Sequence, residues 1–303
     1  MTSGVLVVDK AAGVTSHDVV ALVRRHLRVR RVGHAGTLDP GAVGVLPVLI
    51  GEATKLMPYV SDQDKEYVVT VRFGVTTDTQ DLEGRRLSEA SVPAFTRESL
   101  ERLTNRFVGR IRQVPPMYSA VHHQGRRLYE LAREGREVVR EAREVVVHSI
   151  VVEAVEPPVA QLRIVCGKGT YVRTLAADLG ERLGCGAVVE RLERVRVGAF
   201  RREHAVSSAD LTTIPPATLW ERVAPPEAAL AGWSAVSLDA TRARQFINGQ
   251  AAATDRTGVS PTLVAVHESD GPLLGVGELT SAGAVKPVRV LHADRPGSRV
   301  LPA

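Results

Sequence analysis

The sequence predicts an α+β protein built in two parts, a large mixed domain followed by a small β-rich one. Three observations carry that expectation. Segments that read as strands and segments that read as helices both occur over residues 1–213. Residues 214–232 contain two proline pairs, in IPPATLWERVAPPEAALAGW, and read as an interdomain connection. Residues 233–303 carry short apolar runs, LVAVHE, LLGVGEL and VKPVRVL, separated by Gly-, Asp- or Ser-rich turns. With 303 residues, 44% apolar and 24% charged, the composition is that of a globular chain long enough for both parts.

Taken in order, GVLVVDK reads as a short buried strand, and a turn through Ala11 to Gly13 leads to a helix. Thr15 or Ser16 can cap that helix; Val19, Val20, Leu22, Val23 and Leu27 have helical spacing, and arginines crowd the C-terminal end, where they suit the dipole. VGVLPVLIG is a buried segment that contains Pro47. In KEYVVTVRF the apolar residues Tyr67, Val69, Val71 and Phe73 alternate as in a half-buried strand, which ends in a turn near Asp78 to Gly84. Residues 95–108 have an amphipathic helical pattern, and QVPPMYSA is a Pro-Pro loop leading to a helix that starts near Arg126. Residues 144–156 and 160–166 are strands, and the second passes through a glycine loop, Gly167 to Gly169, into a helix. No fixed-period repeat and no low-complexity tract is present.

Composition excludes several classes. The N-terminal apolar run is five residues long, too short for a signal-peptide core, and no apolar stretch approaches the roughly 18–20 residues of a membrane span. Cys166 and Cys185 form neither a CxxC nor a His/Cys cluster, so neither a disulfide scaffold nor a metal site is expected, and a reduced cytoplasm fits. The net charge is only +5, from 39 Lys plus Arg against 34 Asp plus Glu, but the excess is local. RRHLRVRR at 24–31 holds five arginines and no acid, residues 101–145 hold ten Arg against six Glu, and 191–202 hold five Arg against one Glu. Such patches can neutralise phosphates. Only five of the basic residues are lysine, however, so an arginine-rich coding bias accounts for the pattern equally well, and the Glu/Arg alternation of 130–144 suits a solvated helix face.

One carboxylate stands apart. Asp39 lies in GHAGTLDPG, and Asp-Pro-Gly in succession is ordinary β-turn chemistry. The same loop surrounds Asp39 with Gly33, Gly36 and Gly41, which leave room for a ligand and set little bulk beside His34 and Thr37. A carboxylate on such a loop, near arginine-rich segments, can serve as nucleophile or base towards a polyanion.

The run GHAGTLDPGAVGVLPVLIGEATKL, with DKAAGVTSHDVV before it and KEYVVTVRFGVTTDTQD, QVPPMYSA, LYELAREG and GKGTYVRTLAADLG after it, closely resembles the bacterial TruB family of tRNA pseudouridine synthases, over residues 4–202. The resemblance implies a pseudouridine-synthase fold, with a central mixed, mainly antiparallel sheet flanked by helices and a small PUA-like domain at 233–303. It implies isomerisation of the uridine at position 55 in the tRNA T arm to pseudouridine, with neither metal nor organic cofactor. That reaction breaks the C1′–N1 bond, rotates the uracil and forms a C1′–C5 bond. Asp39 matches the family's catalytic aspartate, and attack at C1′, removal of the 2′ proton and action at C6 all remain open. Arg173 of GTYVRTL matches the arginine paired with it, a cation that favours the ionised acid. Tyr67 of KEY matches the tyrosine placed over the uracil, where a phenol can stack and relay a proton. Tyr171 and Leu192 match pocket residues.

Because the target base lies in a folded loop, it must be extruded. His34 matches the histidine that enters the RNA loop, and Lys10 matches a position at the strand end that supports the fold or the site. Arg24 to Arg31 and Arg126 to Arg143, with Arg126 and Arg127 foremost, become candidates for backbone contacts with tRNA. The C-terminal part is expected to touch the acceptor end, and a monomer is expected because no self-association motif appears. Two positions depart from the family pattern: Ala11 stands where proline is usual and His122 where lysine is common, the second weakening an RNA contact. A noncatalytic tRNA-binding or folding factor is the competing reading, and the retention of Asp39, Tyr67 and Arg173 together argues against it. GKGT at 167–170 lacks the spacing of a phosphate loop.

Overall fold

Long-range contacts in the computed structural model, which describes residues 3–257 and 262–292, gather the chain into two units. One comprises residues 41–44 and 62–197; the other comprises the described residues of 1–40, 45–61 and 198–303.

In the first unit, Lys65–Phe73 alternates strictly between buried and half-buried positions, as its period-two pattern predicts. It lies between Ala187–Val197 and Val159–Cys166, followed outward by Arg143–Glu156 and Gly109–Gln113, each neighbouring pair antiparallel. Tyr67, Val69, Val71 and Phe73 face the helix Val172–Leu183, whose Leu175, Ala176 and Leu179 complete one core with Leu100 of the helix Arg97–Thr104. Several of these side chains are fully buried, each contributing roughly 1.5–3 kcal/mol. Val43 and Gly44 pair in parallel with Glu193 and Arg194. Gly44 sits at φ +104, and a Cβ there would run into the Arg194 carbonyl, so only glycine permits the approach.

The helix expected near Arg126 is Leu128–Arg133, with Arg127 at its N-cap. Arg126 and Arg127 form a two-residue ladder with His123 and His122. Residues 136–142 are irregular, so the Glu/Arg alternation of 130–144 is not one helix face: only Leu128 and Leu131 of that helix are buried, and nothing apolar continues the stripe. The basic run at 191–202 is largely strand Ala187–Val197, with Arg194 only 1% exposed.

In the second unit, Gly4–Lys10 is buried along nearly its whole length and pairs in parallel with Val206–Ser207. The helix Ser16–His26 follows, capped by Thr15 in a capping box with Asp18. Val32–His34 pairs antiparallel with Val48–Ile50 of the strand Val43–Ile50. The stretch read as a connection is folded: Pro216–Glu221 is a helix, Pro226–Leu230 a 3₁₀ turn, and Ala224 exchanges backbone hydrogen bonds of 2.8 and 2.9 Å with Val5. Its prolines occupy first helical turns, where the missing N–H is no loss, and Leu219 and Ala229 are fully buried.

The C-terminal residues form a five-stranded sheet in the order Ala235–Leu238, Thr262–Glu268, Leu273–Leu279, Ala284–Val290, Ala252–Ala253. All three apolar runs are strands. The sequence pattern passed over the helix Ala240–Ile247, because its eight residues bury only Ala243 and Phe246.

Candidate active site

Two sets of predicted residues are assembled, one on each unit. On the second unit, the loop that carries Asp39 leaves the strand Val32–His34 through Gly36, at φ +86, and is fastened from below at three points. Lys10, fully buried at the end of Gly4–Lys10, donates its three ammonium hydrogens to the carbonyls of Ala11 at 2.9 Å, Val14 at 2.8 Å and Pro40 at 3.0 Å. The Gly13 N–H also reaches the Pro40 carbonyl, at 3.0 Å. Ser16 accepts from the Leu38 N–H at 2.9 Å and donates to the Leu38 carbonyl at 3.1 Å. The residues on both sides of Asp39 are therefore held by backbone-directed bonds, and the half-buried carboxylate between them is presented on a fixed turn. Turn former and presented acid are the same structure. His34 is half-buried five residues earlier, at the end of its strand.

On the first unit, Arg173 lies in the first turn of the helix Val172–Leu183 and is only 5% exposed. Its guanidinium donates to the carbonyls of Thr79 at 2.6 Å and Tyr118 at 2.7 Å, and its Nε stands 3.9 Å from the Asp81 carboxylate. Asp81 is fixed in turn by the Thr79 hydroxyl at 2.6 Å and the Glu83 N–H at 3.1 Å. The turn at 78–84 and the Pro-Pro loop thus converge on one planar fork, a geometry that lysine cannot reproduce. Tyr171 precedes the helix, and Gln113 holds it from both sides, accepting its N–H at 3.0 Å and donating to its carbonyl at 3.3 Å. Tyr67, 8% exposed, sits at one end of the apolar core opposite Ile164 and Arg194 on its neighbouring strands, and Leu192 packs against the same core.

Sequence reasoning missed Ser16, Asp81, Gln113, Lys65 and Arg194. The TDTQD run already displayed Asp81, but only the fold aims it at Arg173. Lys65 and Arg194 are buried together beside Cys166: burial, then Arg194, lowers the Lys65 ammonium to about 8, and burial raises the Cys166 thiol to about 11. Of the expected RNA contacts, Arg126 is exposed but bonded to Glu134 at 2.5 and 3.1 Å, whereas Arg127 is exposed on the same ladder. Among the described residues, no group of three or more His, Cys, Asp or Glu could hold a metal ion, and no helix is long and apolar enough to cross a membrane.

This combination of sheet, helix and aspartate loop has the fold of the pseudouridine synthases. A chain in the "Crystal Structure of a Cbf5-Nop10-Gar1 Complex" is 26% identical, with a TM-score of 0.74 over 95% of this chain and 85% of that one. A chain of an H/ACA RNP bound to a substrate RNA containing 2'-deoxyuridine, 24% identical over 96% of this chain and 85% of that one, has the same fold at a TM-score of 0.74. The N-terminal domain of TruB family pseudouridylate synthases matches residues 24–172, the C-terminal domain of tRNA pseudouridylate synthase B matches 173–231, and the C-terminal region of pseudouridine synthase II TruB matches 234–291. Proteins named tRNA pseudouridine synthase B are 42% identical in Chromohalobacter salexigens, over 95% of this chain and 94% of the relative, and 44% identical in Moorella thermoacetica, over 95% of each. The chain belongs to the TruB family of pseudouridylate synthases.

Proposed function

We propose that this protein isomerises uridine 55 in the T arm of tRNA to pseudouridine. The observation that carries the proposal is the anchored loop. In a family of pseudouridylate synthases, Leu38 and Pro40 are held by Ser16, Gly13 and Lys10, so Asp39 meets its substrate without first being ordered. In this reading, Asp39 acts on the ribose or the base while the C1′–N1 bond breaks, and Arg173 is the arginine that the family pairs with that aspartate. Tyr67 stacks on the rotating uracil and relays the C5 proton. Tyr171 and Leu192 wall the uracil, His34 fills the space that the flipped base vacates, and Lys10 supports the loop. Arg126 and Arg127 contact the RNA backbone, and the C-terminal sheet meets the acceptor end, in a cytoplasmic monomer that uses no cofactor.

The test uses a tRNA transcript carrying 5-tritiated uridine. Asp39→Asn binds the transcript but releases no tritium, whereas the unaltered protein releases one tritium per target uridine. Release by the variant at the wild-type rate removes Asp39 from the mechanism. Binding without release by the unaltered protein makes it a noncatalytic folding factor.

A further inference from the structure

At the C-terminal end of the helix Ser16–His26, a cavity of about 540 Å³ is lined by Arg25, His26, Arg28, Thr212, Pro216 and Trp220. No acidic residue lines it. Among the described residues, the side chains of Arg25 and Arg28 make no ion pair or hydrogen bond, although other members of the arginine-rich run do: Arg31 pairs with Glu52 at 2.6 Å, and Arg24 donates to the Val32 carbonyl at 3.1 Å. The Trp220 indole is half-exposed on the cavity wall. His26, which also lines the cavity, is held by its Nε2, bonded to the Ile214 carbonyl at 2.7 Å.

The backbone supplies an independent observation. Arg28 sits at φ +53, in the left-handed region, where it closes the helix as the Val29 N–H bonds to the Arg24 carbonyl at 3.1 Å. Helices that end this way normally place glycine at that residue, since a Cβ is strained there. An arginine kept at a position that glycine would fill with less strain points to a function for its side chain.

We propose that this cavity binds an unpaired, phosphate-bearing nucleotide of the RNA substrate, with the base stacked on Trp220 and the phosphate bridged by Arg25 and Arg28. The proposal rests on the RNA-modifying reading above and adds a contact separate from the Asp39 loop. Two unpaired guanidiniums suit the anionic oxygens, an indole face suits a base of any sequence, and the volume accommodates one nucleotide. An acidic peptide would meet the charges but leave the indole without a planar partner.

The protein has two tryptophans, and Trp233 stacks edge-on against Tyr59, so Trp233→Phe keeps a ring there and leaves Trp220 as the single reporter. In that background, full-length tRNA, a T-arm hairpin and uridine monophosphate are each titrated while indole fluorescence is read. Quenching by both RNAs places the nucleotide in the T arm, and quenching by full-length tRNA alone places it elsewhere in the molecule. Arg25→Gln with Arg28→Gln abolishes the quench and lowers the slope of log affinity against log salt by about 2. Trp220→Ala weakens tRNA binding roughly tenfold. Arg28→Gly separates function from folding: it raises the melting temperature while weakening tRNA binding. An unquenched Trp220 in a protein that still forms pseudouridine overturns the site and leaves the proposed function standing, as does quenching by uridine monophosphate alone. Absence of pseudouridine with Trp220 still quenched by tRNA sinks the proposed function and retains the site.

Discussion

Replacing Lys10 by methionine tests whether the floor of the Asp39 loop is what makes that carboxylate effective. Methionine keeps most of the volume and removes the charge, so the fully buried ammonium and its bonds to Ala11, Val14 and Pro40 are lost together. Pro40 retains the Gly13 N–H, but the other two carbonyls lose this donor. Ala11 is exposed and Val14 half-buried, so water replaces part of what their carbonyls lose, and the loss is roughly 1–3 kcal/mol for the two together. Removing a desolvated cation gives part of this back, so a net loss of about 1–2 kcal/mol is expected. Urea unfolding at neutral pH measures that loss. Single-turnover tritium release at saturating protein then reads the loop: with Pro40 held at one point instead of two, the chemical step slows by roughly 10- to 100-fold while the tRNA Kd stays within about twofold. Unchanged stability together with an unchanged chemical step would refute the argument that Lys10 fastens this loop.

Lys65 supplies a pH signature. Its ammonium, ordinarily near 10.5, is lowered to about 8 by burial and by Arg194, so between those values the unfolded chain binds more protons and stability rises with pH. The rise is up to roughly 3 kcal/mol, and Lys65→Met abolishes it in unfolding curves recorded from pH 7.5 to 10.5. Asp178 has the opposite sense: burial first, then Glu181, raises its carboxyl to about 6 from an ordinary 3.8, so its contribution to stability falls as pH rises from about 4 to 6. Because Asp178 is only half-buried, Asp178→Asn should gain about 1 kcal/mol at pH 7 and nothing at pH 3.5, as read by thermal unfolding. Gly44→Ala sets a Cβ against the Arg194 carbonyl at φ +104, and chemical denaturation should show a loss of roughly 2–4 kcal/mol.

The elements legible in the sequence were those whose period matched their burial. Tyr67 to Phe73 alternate because one face of their strand is core, and Val19, Val20 and Val23 repeat because one stripe of their helix is buried. Asp39, Tyr67 and Arg173 are candidates for a different reason: they stand in ordered motifs shared with a family, and the spacing alone would have left a turn, a core tyrosine and a surface arginine. What the sequence could not display was pairing across distance. Arg194 and Arg196 read as free positive charge, yet the first is buried and the second bonds Glu66 at 3.0 Å, because the strand Ala187–Val197 lies beside Lys65–Phe73. Residues 214–232 read as a linker because prolines are its visible feature, whereas tertiary packing uses them to start helical turns over Leu219 and Ala229.

By itself, then, the sequence determined the family and the mixed α+β class and singled out Asp39 as the candidate carboxylate, since periodicity and local motif are properties of neighbouring residues. Only the tertiary structure decided that Lys10, Gly13 and Ser16 fasten the loop carrying Asp39, and that Thr79, Asp81 and Tyr118 hold the guanidinium of Arg173. Those contacts join residues about 20 to 95 positions apart, and hydrogen bonds and burial depend on proximity in space, which no local pattern encodes.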